Sequence, residues 1–175
     1  MKKLIALSLL LCCLCSVALA DTYGMGVYTE ISAAESAYVE DGDEYDGKYE
    51  VHTHVCHVVL DEGGKIVDVW FDAVQTKLAF TPKGEVKNEK GSVVASKVEL
   101  KEKYGMATYM PTAKGEWYQQ ARALEQYCIG KTVAEVLSAP KTEAGALDVE
   151  DLKSSCTIGV VEMLKALEMA AANAR

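Results

Sequence analysis

The sequence predicts an α+β domain: an antiparallel sheet with helices packed on it, closed by a C-terminal helix. Three observations lead there. β-branched runs occupy the first half of the chain, a turn signature joins two of them, and helical spacing with capping residues is confined to the second half. Of the 175 residues, half are hydrophobic and a quarter charged, enough for an independent core and too few charges for a disordered chain.

The elements follow in order. Lys2 and Lys3, an apolar run from Leu4 to Val17, and Ala18-Leu19-Ala20 ahead of Asp21 read as a secretory signal over 1–20, cut after Ala20, leaving one domain over 21–175. Cys12, Cys13 and Cys15 offer a lipoprotein alternative. Each follows Leu or Cys, however, where lipid-modifying cleavage requires a small residue. The apolar run is short of the ~20 residues that span a bilayer, so no stable membrane span is expected and the chain is predicted to be secreted or held in the cell envelope. Tyr23 to Ala37 reads as a strand or bent strand pair, and Asp41 to Gly47 as an acidic turn. That turn lacks the ligand pattern of a calcium loop, having Tyr45 and His52 where oxygen ligands are needed.

Tyr49 to Leu60 and Lys65 to Phe71, joined by Asp61-Glu62-Gly63-Gly64, form the predicted hairpin, and Asp72 to Phe80 continues it until Pro82 and Gly84. Lys87 to Lys103 reads as a surface connection with a short helical turn. Trp117, Ala121, Leu124 and Cys128 share helical spacing over Glu116 to Cys128, with Gly130 as the stop. Thr132 caps a short helix, Val133 to Ser138, which Pro140 ends. Ser154 and Ser155 are N-cap candidates for the final helix, whose predicted stripe is Ile158, Val161, Leu164, Leu167 or Glu168, and Ala171.

Several function classes are excluded early. The net charge of −8, which becomes −10 once Lys2 and Lys3 leave with the signal, opposes nucleic acid as a partner. Gly130-Lys131-Thr132 lacks the upstream glycine and strand of a phosphate loop, and Cys56-His57 has Thr53 where haem attachment needs a second cysteine. Without the signal, Cys56, Cys128 and Cys156 remain, an odd number that permits at most one intramolecular disulfide and leaves the pairing open.

Two constellations remain. His52, His54 and Cys56 alternate along a predicted strand, so they share one face at ~6.8 Å spacing and are candidate ligands for zinc or copper; a half-exposed polar sheet face is the competing reading. The second is Asp151-Leu152-Lys153-Ser154-Ser155-Cys156-Thr157, whose hydroxyls are expected in the first turn of the last helix, where free N–H groups and the dipole favour a phosphate. Simple capping explains the same residues.

The segment Asp151 to Thr157 resembles the covalent flavinylation motif of the FMN-binding domain family, Asp-x-x-Ser/Thr-Gly-Ala-Ser/Thr. The wider chain is similar to small secreted FMN-binding-like proteins of anaerobic bacteria at Gly24-Met25-Gly26-Val27, Asp61 to Val67, Asp72 to Lys77, Gly115-Glu116-Trp117, Gly130 to Val133 and Thr157-Ile158. This resemblance implies FMN in phosphoester linkage to Thr157, with Asp151 and Ser154 read by a flavin transferase. Ser155 and Cys156 depart from the motif's Gly and Ala. It further implies an electron-transfer or redox accessory protein with redox partner proteins and no turnover of its own, for which Trp117, Tyr118 and Tyr104 are candidate ring-stacking residues. The alternative function is a noncatalytic module of the same fold that binds a metal or small ligand without flavin.

Overall fold

The computed structural model describes residues 21–33, 36–38, 47–81 and 83–175. The signal segment 1–20 and the acidic stretch over 41–46 lie outside the described residues, as does Pro82. Four strands, β1 (Thr22–Ile31), β2 (Ala37–Tyr38), β3 (Gly47–Leu60) and β4 (Ile66–Phe80), form one antiparallel sheet. Central β3 pairs with β1 and β2 on one side and β4 on the other. The β3–β4 hairpin turns where Asp61-Glu62-Gly63-Gly64 predicts it: the Asp61 carboxylate accepts the N–H groups of Gly63 and Lys65 at 2.9 and 2.8 Å, and Gly64 takes a left-handed φ of 75°. β4 then runs unbroken through Asp72 to Phe80.

Helices α1 (Lys97–Leu100), α2 (Met106–Tyr109), α3 (Trp117–Cys128), α4 (Val133–Ser138) and α5 (Val161–Ala172) follow. The capping chemistry is local: Ser96 with Glu99, Glu116 with Gln119 and Thr132 with Glu135 form capping boxes at α1, α3 and α4. α5 packs on β1 and β3, and α3 on β4, so both long helices cover one face of the sheet. Between them lies the core of Val58, Ile66, Val69, Phe71, Leu124, Leu164 and Leu167. Cys56, Cys128 and Cys156 are buried in it as free thiols.

The β4 edge is closed by side chains, an arrangement that prevents pairing with another chain. Phe71 N–H donates to Glu125 at 2.8 Å, Ala73 N–H to Asp72 at 2.7 Å and Ala79 N–H to Asn88 at 2.8 Å. Burial raises the Glu125 pKa, while Arg122 and the Phe71 N–H oppose the rise.

Two expectations for the last helix are corrected. It starts at Val161, with Val160 at the N-cap and no side-chain cap, so neither Ser154 nor Ser155 caps it. Upstream, a 3-10 turn at Glu150–Leu152 and the turn that follows it lead into an irregular stretch in which Cys156, Ile158 and Val160 are buried at every second residue. Its N–H groups go elsewhere: Cys156 to the Leu152 carbonyl, Thr157 to the Gln120 side chain and Val160 to the Gly145 carbonyl. The buried stripe is Met163, Leu164, Ala166, Leu167 and Ala170, which leaves Val161 and Ala171 at its margin. Glycines set this rotation. A Cβ on Gly24 or Gly26 would overlap the carbonyl oxygens of Ala170 and Ala166, so α5 lies directly on the bare backbone of β1 through its alanines.

Candidate functional site

The face of the sheet beneath the helices has two halves. Toward the hairpin turn it is apolar, with Cys56 opposite Phe71 and Val58 opposite Val69. Toward the far ends of the strands the same face turns polar: Glu30, His52 and Gln75 lie in one row, and Glu50 and Lys77 in the next. α5 and α3 cover the first half and leave the second partly open.

Glu50 anchors the polar half. Its carboxylate is fully buried and receives Lys48 Nζ at 3.0 Å, Lys77 Nζ at 3.2 Å, Gln75 Nε2 at 2.7 Å and His52 Nε2 at 3.4 Å. A buried carboxylate is tolerated only with such compensation. Over this base lies a cavity of about 730 Å³ whose lining includes Gln75, Lys77, Asn88, Lys97, Tyr104 and Tyr109.

The far wall is positioned by three devices. Asp72 Oδ1 accepts the Val98 N–H at 3.1 Å, tying α1 to the edge of β4. Gly105 takes a left-handed φ of 75°, turning the chain between Tyr104 and α2. The Glu116 carboxylate then accepts the N–H groups of Met106 and Ala107 at 2.8 and 3.1 Å, holding the first turn of α2. As a result Lys97 Nζ stands 4.8 Å from the Tyr104 ring centroid and 5.4 Å from that of Trp117. Tyr104 meets Tyr109 edge to face at 6.0 Å, and its hydroxyl donates to Gln75 Oε1 at 3.4 Å. The wall thus presents an aromatic edge, an ammonium group and an amide, suited to a planar anionic ligand.

His54 adjoins this half of the face, opposite Tyr28 and Ala73. It is 8% exposed and its Nδ1 has no hydrogen-bond partner. Burial lowers its pKa to about 4, with Lys97, His52 and Lys165 pushing the same way and Glu30 opposing, so the ring is neutral at pH 7.

His52, His54 and Cys56 do share one face, but they do not converge. His52 Nε2 is turned to Glu50, and the Cys56 thiol lies fully buried against the His57 carbonyl at 3.6 Å, its pKa pushed far up by burial. Among the described residues no group of three or more His, Cys, Asp or Glu side chains is arranged to hold a metal ion. The three-ligand metal site expected from alternation is therefore not formed.

The Asp151 to Thr157 segment is also placed differently from expectation. Thr157 is exposed, four residues before α5 begins, so the phosphate-favouring N–H groups of a helix start are not beside its hydroxyl. Its backbone N–H and hydroxyl both donate to Gln120 Oε1, at 2.9 and 3.3 Å. Gln120 is fully buried and uses its amide group on the Gly115 carbonyl at 2.9 Å and Met106 Sδ at 3.4 Å, linking the Thr157 loop to α2. Asp151 and Ser155 border a shallow recess of about 320 Å³ with Tyr127 and Lys131. Ser154 is exposed, and Cys156 is buried beneath the loop, its thiol pushed up to about 11 chiefly by burial. Of the candidate stacking residues, Tyr104 borders the cavity, Trp117 is buried in the core, and Tyr118 donates to Glu102 at 2.8 Å on the surface.

Sequence reasoning missed Glu50, Gln75, Lys77, Lys97 and Tyr109 as site residues. One signal was available: Gln75 and Lys77 alternate on the strand face that Phe71 and Ala73 make apolar, so polarity appears where the core should continue. No family model matches the chain, and no curated protein or solved structure matches it either.

Proposed function

We propose that this is an extracytoplasmic flavin-binding protein, an electron-transfer or redox accessory protein without turnover of its own, and that FMN binds in the cavity over Glu50. The cavity itself carries this reading. Its volume of about 730 Å³ lies within the ~300–1,000 Å³ usual for cofactor sites, and its lining offers an aromatic edge beside an ammonium group. The residues present fit such a group: Tyr104 offers its ring, Lys97 offsets ligand charge, and Gln75, held by Glu50, offers an amide to a ring carbonyl or imide. FMN would supply the electron-accepting and electron-donating chemistry. The protein's part is to orient the ring and to set its electrostatics through Lys97, Lys77 and the buried Glu50.

The test is titration of flavin-free protein with FMN, followed by quenching of flavin fluorescence. Tyr104→Ala and Lys97→Ala are each expected to weaken binding about tenfold, matching the ~1–2 kcal/mol of a stacked ring or a desolvated cation contact. Absence of quenching at about 100 µM FMN, roughly −5.5 kcal/mol of affinity, overturns the reading.

A second reading is favoured by the exposure of Thr157: FMN esterified to its hydroxyl by a flavin transferase that reads Asp151 and Ser154. Protein from the source organism is then yellow after denaturation, its flavin peptide contains Thr157, and Thr157→Ala abolishes the label. Ser155→Gly with Cys156→Ala, which restores the family motif, is expected to increase labelling. A colourless native protein, with no label on the restored motif, defeats covalent attachment and leaves binding in the cavity to be judged by titration alone.

A further inference from the structure

The sheet face opposite the helices inverts the usual pattern. An antiparallel sheet with one covered face normally presents polar side chains on the other. Here the outward positions of β1 and β3, five on the first strand (23, 25, 27, 29, 31) and seven on the second (47, 49, 51, 53, 55, 57, 59), carry no Lys, Arg, Asp or Glu, although a quarter of the chain is charged; β4 adds two carboxylates to this face, Asp72, which is buried, and Asp68, which is exposed opposite Val59 at the hairpin end. The formal charges of β1 and β3 point the other way: Glu30 and Glu50 lie on the helix-covered face. Outward, Tyr23, Met25, Val27, Ile31, Tyr49 and Leu78 are exposed, Ile31 and Met25 by 69% and 61%. Contiguous apolar surface of this kind marks an interface.

We infer that this face is a homodimer interface, on which a second copy of the chain packs its own sheet. Charge and area choose the occupant. Two chains that are each strongly net negative meet at least electrostatic cost on a face that brings few charges, and this face brings one exposed carboxylate, Asp68, at its hairpin end, so its remaining apolar area is complementary to itself across a two-fold axis. At ~3.4 Å per residue and ~4.8 Å per strand, the 14 residues of β3 and its two flanking strands span roughly 48 by 14 Å, about 670 Å² before side-chain relief. That approaches the ~800 Å² per partner of a standard interface. Two such faces stack ~10 Å apart at about −30°, as sheets do in a sandwich, and bury the six exposed side chains in its middle. Neither the cavity nor Thr157 belongs to this face, so dimerisation is independent of flavin binding.

The full chain, expressed with its own N-terminal segment and recovered in exported form, is examined by sedimentation equilibrium and light scattering up to about 100 µM, a range that captures dissociation constants of weak dimers. Twice the chain mass is expected. Val27→Lys, at the centre of β1, and Met25→Lys, among the most exposed apolar positions of the face, are each expected to raise the dissociation constant tenfold or more with an unchanged far-ultraviolet dichroism spectrum. Glu62→Lys, in the hairpin turn, alters net charge by the same sign and is expected to leave the dimer intact. A wild-type chain that remains monomeric throughout overturns the inference and assigns the face to a different partner. A dimer equally strong in both lysine variants overturns it as well, by showing that the chains meet elsewhere.

Discussion

Replacing Gly26 by Ala adds one methyl group at the point where α5 lies closest to the sheet. The added Cβ overlaps the Ala166 carbonyl oxygen and approaches Ala170 N to 2.5 Å and Met169 Cβ to 3.0 Å. Two of these three atoms are helix backbone, which no rotamer change can remove, so α5 must move off β1. Overpacking of this kind costs ~1–3 kcal/mol, and movement of α5 also loosens Leu164 and Leu167 against the core, which places the expectation at about 3 kcal/mol. At ~2–4 °C per kcal/mol for a domain of this size, thermal unfolding should shift down by roughly 6–12 °C. Differential scanning calorimetry reads this directly. A second variant separates backbone from side-chain overlap: Ala166→Gly, combined with Gly26→Ala, should give no rescue and should cost ~1 kcal/mol more through lost helix propensity. A midpoint within about 1 °C of wild type for Gly26→Ala, or rescue by the double variant, would refute the close backbone approach.

Three further outcomes are expected. His54 has a folded pKa of about 4 against an ordinary 6.5, so the unfolded chain takes up the proton first. The stability that depends on neutral His54 is complete above pH 6.5 and declines as pH falls toward 4, by up to ~3 kcal/mol, in urea titrations at stepped pH; His54→Phe should flatten that slope. Glu50→Ala removes the shared acceptor of the Gln75 amide, Lys48, Lys77 and His52, and because both lysines reach solvent it should destabilise by ~1–3 kcal/mol in the same titrations, whereas an unchanged stability would mean that the carboxylate is not the anchor described. Gln120→Leu strands the Gly115 carbonyl and Thr157 N–H and should cost ~2–4 kcal/mol, with hydrogen exchange accelerated at both Thr157 and Met106; acceleration at Thr157 alone would deny the link to α2.

How far the sequence could be read depended on whether each signal was local. The β3–β4 hairpin and the starts of α3 and α4 were legible because Asp61, Glu116 with Gln119, and Thr132 with Glu135 act within four residues of themselves. The start of α5 was not, because Cys156, Ile158 and Val160 follow a period of two immediately before a helical period takes over, and Ile158 suits either. His52, His54 and Cys56 show the limit of periodicity: alternation fixes the face, but the helices decide that Cys56 is sealed and His52 is engaged by Glu50. The cavity was least legible. Lys97 and Tyr104 come from a stretch of little periodicity, and only the tertiary bonds of Asp72 and Glu116 bring it over Gln75 and Lys77.

The three buried thiols have a kinetic consequence. Burial raises Cys128 to about 12 and Cys156 to about 11, so at pH 7 only about one molecule in ten thousand to one hundred thousand carries the thiolate that oxidants and disulfides attack. In the unfolded chain the same groups have ordinary acidity and stand open to one another. Folding and oxidation therefore compete: a chain that collapses first is shielded, while one that meets an oxidant first forms a disulfide that the folded protein does not contain. The yield of refolded protein should thus depend on redox conditions during folding and be nearly indifferent to them afterwards.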